Sequence, residues 1–172
     1  MQTITVKYID TTEYEAYIEY DEFCDSPTTY GLYDIITDYK TVSTESGKLL
    51  PSVQAKIKAG TMFWLDKYEH GNTSWSLSSE GMQCRFDTSS KAGLIELLDV
   101  KSLTYDERKE YARDYLQEYT SWYNGEVYEV SITDNTGKDI DSICGIIGYE
   151  NIDSIIDEMI PDAVNVKKIE NN

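Results

Sequence analysis

The stretch QCRFDTSSKAGLI, residues 83–95, concentrates side chains of the kinds that catalytic loops use. It contains the thiol of Cys84, the carboxylate of Asp87, three hydroxyls and a lysine. A nucleophilic thiol needs a base to take its proton, and the chain has one histidine, His70. A small hydrolase that uses Cys84 and His70 is therefore one hypothesis, although nothing in the local sequence joins the two residues.

Two acidic clusters could bind a divalent metal ion, DNTGKDID (134–141) and YDEFCD (20–25). The first lacks the alternating ligands, the placed glycine and the closing glutamate of a calcium loop, and it is typical of a hairpin turn. The second is typical of a solvated loop. The sequence thus predicts no metal and no cofactor, and a metal-dependent enzyme built on an acidic cluster stays open beside the hydrolase.

Carboxylates also recur at a fixed spacing on a predicted helix from about Thr104 to Tyr123. Four acids occupy successive i, i+4 positions: Asp106, Glu110, Asp114 and Glu118. Neighbouring carboxylates of this stripe stand about 5–6 Å apart, and each pair of like charges destabilises the helix by a few tenths of a kcal/mol. Lys109 and Arg113 offset part of this repulsion.

A predicted strand near the N-terminus carries a second row of acids. Glu13 and Glu15 lie about 7 Å apart along one face, with Glu19 further on. Asp21 and Glu22 follow directly after this strand. These spacings are similar to those between successive phosphates of a nucleic acid.

The net charge of −17 on 172 residues gives the two rows their context. Residues 41–95 are nearly neutral, with five acidic against six basic side chains, so the two ends of the chain carry the charge. Such a surface repels nucleic acid and anionic membranes and attracts basic partners, including proteins that bind phosphate.

The three cysteines are far apart and in no CxxC spacing, which predicts neither a disulfide framework nor a zinc site. No apolar run reaches the roughly 18 residues of a membrane span, and the first residues lack the features of a leader peptide. We expect a cytoplasmic protein.

The elements that position these residues can be predicted from hydrophobic periodicity. Alternation predicts strands in ITVKYI, EYEAYIEY and LYDIITDY, two strands around a turn at His70–Asn72, and a buried strand in GLIELLDV. EVYEVSI and DIDSICGII form a further hairpin, whereas residues 52–59 are compatible with either a helix or a strand.

Two helices complete the prediction. Thr104 and Glu107 form a capping box that starts the long helix, and Asn124–Gly125 end it. NIDSIIDEM predicts a shorter closing helix, ended by Pro161. Because strands and helices are segregated, the expected fold is a single α+β domain over residues 1–172, with an antiparallel sheet and a loosely held tail from about residue 164.

CRFDTSSKAGLI and the downstream EYTSWYNGEVYEVSITDNTGKDIDSICGIIGYE together resemble a family of small acidic proteins from bacteriophages and other mobile elements, which have a WDSGQVG-like segment. The counterparts are Phe86, Asp87, Thr88, Gly93 and Ile95, then Tyr119, Tyr123, Gly125, Val127 and Tyr128, then Ile140, Asp141, Ser142, Cys144, Gly145 and Gly148. The resemblance implies a phage or mobile-element origin without an established enzyme activity. It also points, by association, to inhibitors of host defence such as anti-restriction or anti-CRISPR proteins.

The favoured hypothesis is a non-enzymatic inhibitor that presents carboxylates where a host CRISPR effector or restriction enzyme expects phosphates. The predicted partner-binding residues are Asp106, Glu110, Asp114, Glu118, Glu13, Glu15, Glu19, Asp21 and Glu22. The hydrolase or metal-dependent enzyme is the first alternative, and a viral structural or assembly protein is the second.

Overall fold

The computed structural model describes the backbone of residues 3–9, 12–160 and 165–170, and the side chains of residues 13–160. Over these residues the chain forms nine strands and three α-helices. In chain order they are β1 (Thr3–Ile9), β2 (Thr12–Tyr20), β3 (Tyr33–Ile36), α1 (Pro51–Ala59), β4 (Met62–His70), β5 (Asn72–Leu77), β6 (Thr88–Leu97), α2 (Tyr105–Tyr123), β7 (Val127–Asp134), β8 (Asp139–Ile147), α3 (Ile152–Met159) and β9 (Asn165–Glu170).

The predicted α+β class is confirmed, with antiparallel sheets, one long helix and a shorter helix near the C-terminus. The strands divide between two sheets, and the chain divides into two compact units. Residues 1–25 and 125–172 form the first, which we call the acidic unit, and residues 26–124 form the second, the central unit. Among the described residues no helix is long and apolar enough to cross a membrane.

The acidic unit contains a five-stranded sheet in the order β8-β7-β2-β1-β9. Alternate residues of β2 and β7, among them Ala16, Ile18, Val130 and Ile132, are buried on one face. Helix α3 covers this face with Ile152 and Ile156, and Ile155 and Met159 pack beside them, as the predicted apolar side of this helix requires. The hairpin of β7 and β8 is also confirmed.

The central unit contains a four-stranded sheet in the order β3-β6-β4-β5. Ala112 and Leu116 of α2 pack on one face against Leu65, Trp75 and Ile95. On the other side a smaller cluster joins Val53 of α1 to Val42, Met62 and Leu94. Strands β4 and β6 therefore have buried residues on both faces.

Helix α2 begins with the predicted capping box. The Glu107 carboxylate accepts the Thr104 N–H at 2.7 Å, and the Thr104 hydroxyl accepts the Glu107 N–H at 3.3 Å. At the other end, the Asn124 side chain accepts the Thr73 N–H at 2.9 Å and donates to the Thr73 carbonyl at 2.8 Å. The Thr120 hydroxyl accepts the Trp75 N–H at 3.1 Å. Because β5 is an edge strand, these contacts satisfy backbone groups that would otherwise be open to pairing.

Residues 52–59, which the sequence left undecided, belong to α1. Pro51 occupies its first turn, and Gly60 ends it at φ 69°. Proline at the start and glycine just past the end are typical of helices, so the flanking residues held the missing signal. A side chain at Gly60 would also collide with the Tyr105 ring, since its Cβ would lie 2.4 Å from Cδ2.

The stretch 83–95 is mostly scaffold. The predicted core residues Leu94 and Ile95 are fully buried, and Asp87 lies in a turn. The strand starts earlier than predicted, because Thr88 already begins β6. Gly93 lies in a tight place, since a Cβ there would be 3.1 Å from the Ile36 carbonyl oxygen.

Two predictions concern the end of the chain. The expected stop of α3 at Pro161 falls on residues outside the described part of the chain, as does part of the tail from about residue 164. Within that tail, Asn165–Glu170 form β9, which pairs antiparallel with β1.

Candidate interaction surface

Charge is distributed unequally between the two units. The acidic unit holds 18 of the 32 Asp and Glu residues and four of the 15 Lys and Arg residues, which is a net charge of −14. The central unit holds the other 14 acidic and 11 basic residues, a net charge of −3. The strongest candidate for binding a basic partner is therefore a surface of the acidic unit.

Strand β2 places three of the predicted residues on one face. Its residues Ala16 and Ile18 point into the core under α3. Side chains alternate along a strand, so Glu13, Glu15 and Glu19 share the opposite face, as the sequence predicted. The Glu15 carboxylate accepts the Tyr17 hydroxyl, and this hydrogen bond raises the pKa of Tyr17.

Strands β7 and β8 extend this face with acids that sequence reasoning missed. Glu129 lies directly opposite Glu19, and Asp139 lies opposite Thr133, which is itself opposite Glu15. We call the surface that carries these side chains the outer face; its acids are Glu13, Glu15, Glu19, Glu129 and Asp139. Alternation in VYEVSI could have placed Glu129 on a polar face, but the pairing of β2 with a strand more than 100 residues away could not be read locally.

A depression of about 420 Å³ opens along β7 and β8. Glu129, Ser131 and residues 139–142 line it. Two acids of the outer face, Glu129 and Asp139, thus border a concave part of the surface.

Asp21 and Glu22 follow β2 and differ in their roles. The Asp21 carboxylate accepts the Phe23 N–H at 2.9 Å and the Gly145 N–H at 3.0 Å, and the Asp21 N–H donates to the Val127 carbonyl at 2.9 Å. Asp21 therefore has a structural role, because it joins the turn after β2 to β7 and β8. Glu22 is exposed in that turn.

On α2, the predicted stripe is only partly a free acidic surface. Asp106, Glu110 and Asp114 are exposed. Glu118 is partly buried next to the Tyr33 side chain, and this burial raises the pKa of the Glu118 carboxyl. The helix thus presents three exposed acids of the predicted four.

The basic residues of α2 have a partner that the sequence did not indicate. Lys109 Nζ lies 2.6 Å from Glu80 Oε1, and Arg113 Nε lies 2.8 Å from Glu80 Oε2. The hydrogen bond from Arg113, with the one from Lys109, lowers the pKa of Glu80 to about 2 despite its partial desolvation. The two cations that were expected to offset Asp106 and Glu110 therefore form ion pairs with Glu80.

Cys84 and His70 come together through a third residue. Cys84 Sγ donates to Asp87 Oδ2 at 3.3 Å, and His70 Nδ1 lies 3.4 Å from the same oxygen. A nucleophilic site needs the imidazole next to the thiol, with the carboxylate behind the imidazole. Here the carboxylate stands between them, so His70 is not placed to take the thiol proton.

The acidic clusters have structural partners. Asp134 Oδ1 accepts the Thr136 N–H at 2.8 Å, the Thr136 hydroxyl at 2.6 Å and the Lys138 N–H at 3.1 Å, and these bonds lower the pKa of Asp134. This is the geometry of the predicted hairpin turn. Across the part of the chain with described side chains, no group of three or more His, Cys, Asp or Glu residues is arranged to hold a metal ion.

A carboxylate that the sequence did not single out is the buried one. Asp66 on β4 is 2% exposed. Its oxygens accept the Ser78 hydroxyl and the N–H groups of Ser79 and Lys91, each at 2.8 Å, and the Gln83 amide at 3.3 Å. Burial alone would raise the pKa of Asp66, but these four donors hold it below its usual value. All the donors come from the central unit's own chain, so this site is structural.

No protein family, curated protein or solved structure was found to match the chain. The resemblance to small acidic phage proteins therefore stays a prediction, and the geometry of the outer face carries the functional argument.

Proposed function

We propose that the protein is a non-enzymatic inhibitor that occupies the phosphate-binding surface of a host nucleic-acid-processing enzyme. The outer face is the surface that would bind. The observation that carries the proposal is the placement of Glu19 directly opposite Glu129, within an acidic row, on a unit with a net charge of −14.

The concentration of like charge on one unit supports a role outside folding, because self-repulsion opposes the compact state. Opposite residues on paired strands have their Cβ atoms about 5 Å apart, and like charges at that distance destabilise a sheet. A partner that inserts Lys or Arg between the acids would relieve the repulsion. Charge complementarity of this kind also speeds association and makes it sensitive to salt.

The spacing of the acids agrees with a nucleic-acid-binding partner. Acids two residues apart on β2 are separated by about 7 Å, and adjacent strands are about 5 Å apart. The phosphate-binding surface of a partner would therefore find carboxylates on the outer face at intervals similar to those between successive phosphates. The resemblance to phage proteins makes a CRISPR effector or a restriction enzyme, in the host cytoplasm, the first class of partner to test.

The proposal is tested by inhibition of DNA cleavage with a panel of purified restriction enzymes and RNA-guided nucleases. We expect one of them to be inhibited, and excess duplex DNA and 0.5 M salt, where the Debye length is about 4 Å, should both relieve the inhibition. The matched variant is E13Q/E129Q/D139N, which removes three charges from the outer face and should inhibit at least tenfold less. Polyglutamate at equal charge controls for a general polyanion effect. Equal inhibition by polyglutamate, or inhibition that 0.5 M salt leaves unchanged, would contradict the proposal.

A further inference from the structure

One end of the acidic unit's sheet carries several aromatic side chains that are not buried in its core. The rings of Tyr20 in β2 and Tyr128 in β7 lie 5.1 Å apart between centroids with their planes tilted by 31°, and Tyr149 meets Tyr128 edge-on at 5.5 Å. Tyr128 is buried, whereas Tyr20 and Tyr149 are 52% and 43% exposed. Phe23, three residues after Tyr20, is 93% exposed. We call these four residues the aromatic end.

Phe23 is held in this exposed position by the structure around it. Its N–H donates to Asp21 Oδ1, while Asp21 Oδ2 accepts the Gly145 N–H and the Asp21 N–H donates to the Val127 carbonyl. The turn is therefore tied to both β7 and β8. An ordered turn that presents a phenyl ring to solvent is partly pre-organised for binding, because little backbone conformational entropy is lost when a partner covers the ring.

Cations lie near aromatic rings elsewhere in this protein, in the central unit. There, side-chain cations lie 5.4–5.8 Å from ring centroids in four pairs: Lys67 with Trp75, Lys67 with Tyr123, Arg85 with Phe86, and Lys91 with Trp64. Phe86 is almost as exposed as Phe23, at 88%, and its own neighbour Arg85 lies over it. No cation lies over the aromatic end among the residues with described side chains.

The composition of the acidic unit explains this difference. Over residues 13–25 and 125–160 the sequence contains a single basic residue, Lys138, in the turn between β7 and β8. Exposed carboxylates lie next to residues of the aromatic end in the sequence, at Glu22, Asp25 and Glu150. An exposed aromatic ring in a segment rich in carboxylates matches a guanidinium, which stacks on a ring and donates to a carboxylate at the same time.

We infer that the aromatic end binds arginine side chains of the basic partner, with Phe23 as the exposed anchor. The inference rests on the proposed function. It adds that the partner contacts the aromatic end with guanidinium groups. Arginine is preferred over lysine because its planar, weakly hydrated group stacks on aromatic rings, whereas an ammonium remains strongly hydrated.

The test compares fluorescent nona-arginine and nona-lysine peptides, which carry the same charge, by fluorescence anisotropy in about 50 mM salt. We expect nona-arginine to bind the wild-type protein roughly five- to tenfold more tightly than nona-lysine, the size of a cation–π contact. Phe23→Ala should remove this preference, and Phe23→Trp should retain or strengthen it. Phe86→Ala is the matched control and should leave both affinities unchanged.

The outcomes separate the inference from the proposed function. Equal binding of the two peptides, unaltered by Phe23→Ala, would overturn the inference and leave the proposed function standing. Binding of neither peptide would overturn both. A wild-type dimer that Phe23→Ala converts to a monomer would show that a second copy of the chain covers the aromatic end, and would also overturn the inference. The E13Q/E129Q/D139N variant should weaken both peptides by the same factor.

Discussion

Glu19 and Glu129 lie directly opposite each other on the paired strands β2 and β7. Both side chains are exposed, and both belong to a unit that already carries a net charge of −14. Like charges at directly opposite positions of paired strands destabilise a sheet. Removing one charge of this pair should therefore stabilise the fold and weaken the binding of a basic partner.

Glu129→Gln should raise the free energy of unfolding by about 0.2–1 kcal/mol, because it removes the repulsion across the strand pair. The same substitution should weaken the binding of a basic probe such as nona-lysine. Urea denaturation at about 50 mM and 0.5 M salt checks the first effect, and the gain should shrink at the higher salt.

Glu45→Gln is the control for this charge change, since Glu45 is an exposed acid in a loop of the central unit. It should change neither stability nor probe binding. A loss of stability in Glu129→Gln would show that the Glu19–Glu129 pair is held by compensating contacts and does not act as a repulsive pair.

Asp66→Asn should destabilise the central unit by about 1.5–3 kcal/mol, because a neutral amide offers one acceptor where the carboxylate satisfies four donors. The cost should depend on pH. The folded-state pKa of Asp66 is lowered, so its contribution is fully present above the unfolded value of about 3.9 and is lost as the pH falls towards the folded value. The stability difference between wild type and variant should therefore narrow below about pH 4.

Denaturation midpoints measured between pH 7 and pH 3 check this dependence. Asp25→Asn makes the same chemical change at an exposed carboxylate and should cost little at any of these pH values. A difference for Asp66→Asn that stays constant down to pH 3 would mean that hydrogen bonding to the charged form does not supply the stabilisation.

The fold could be predicted where local patterns decide it. The capping box of Thr104 and Glu107 fixed the start of α2, and alternation in β2 gave the face shared by Glu13, Glu15 and Glu19. Contacts between distant segments could not be predicted. Nothing near Glu129 indicates that it meets Glu19, and nothing near Asp66 indicates that residues 12 to 25 positions further along will supply its donors.

The acidic stripe of α2 shows the same limit of local sequence patterns. Its i, i+4 spacing is intrinsic to the helix and was predicted correctly. Whether the stripe is free depends on tertiary neighbours, and these withdraw Glu118 toward Tyr33 and bring Glu80 to Lys109 and Arg113. The sequence alone did not rank the stripe against the strand row, and the net charges of the two units, −3 and −14, now favour the strand row.

Asn124→Ala should expose the edge of β5, because the Asn124 amide makes both side-chain hydrogen bonds to the Thr73 backbone. We expect the free energy of unfolding to fall by about 1–2 kcal/mol. Hydrogen exchange at the amides of Thr73 and Trp75 should become faster. Gln117→Ala, at an exposed position on the same helix, should leave that exchange unchanged. Unaltered exchange at Thr73 in Asn124→Ala would mean that α2 does not protect this edge.

The last prediction decides which acidic row binds a basic partner. The variants E13Q/E129Q/D139N and D106N/E110Q/D114N each remove three charges, from the outer face and from the α2 stripe respectively. We expect the first to weaken nona-lysine binding about tenfold and the second less than about threefold, because the acidic unit carries a net charge of −14 and the central unit only −3. The salt dependence of the affinity should also become shallower only in the first. Equal losses in both variants would mean that net charge alone attracts the probe, and a larger loss in the second would place the binding surface on α2.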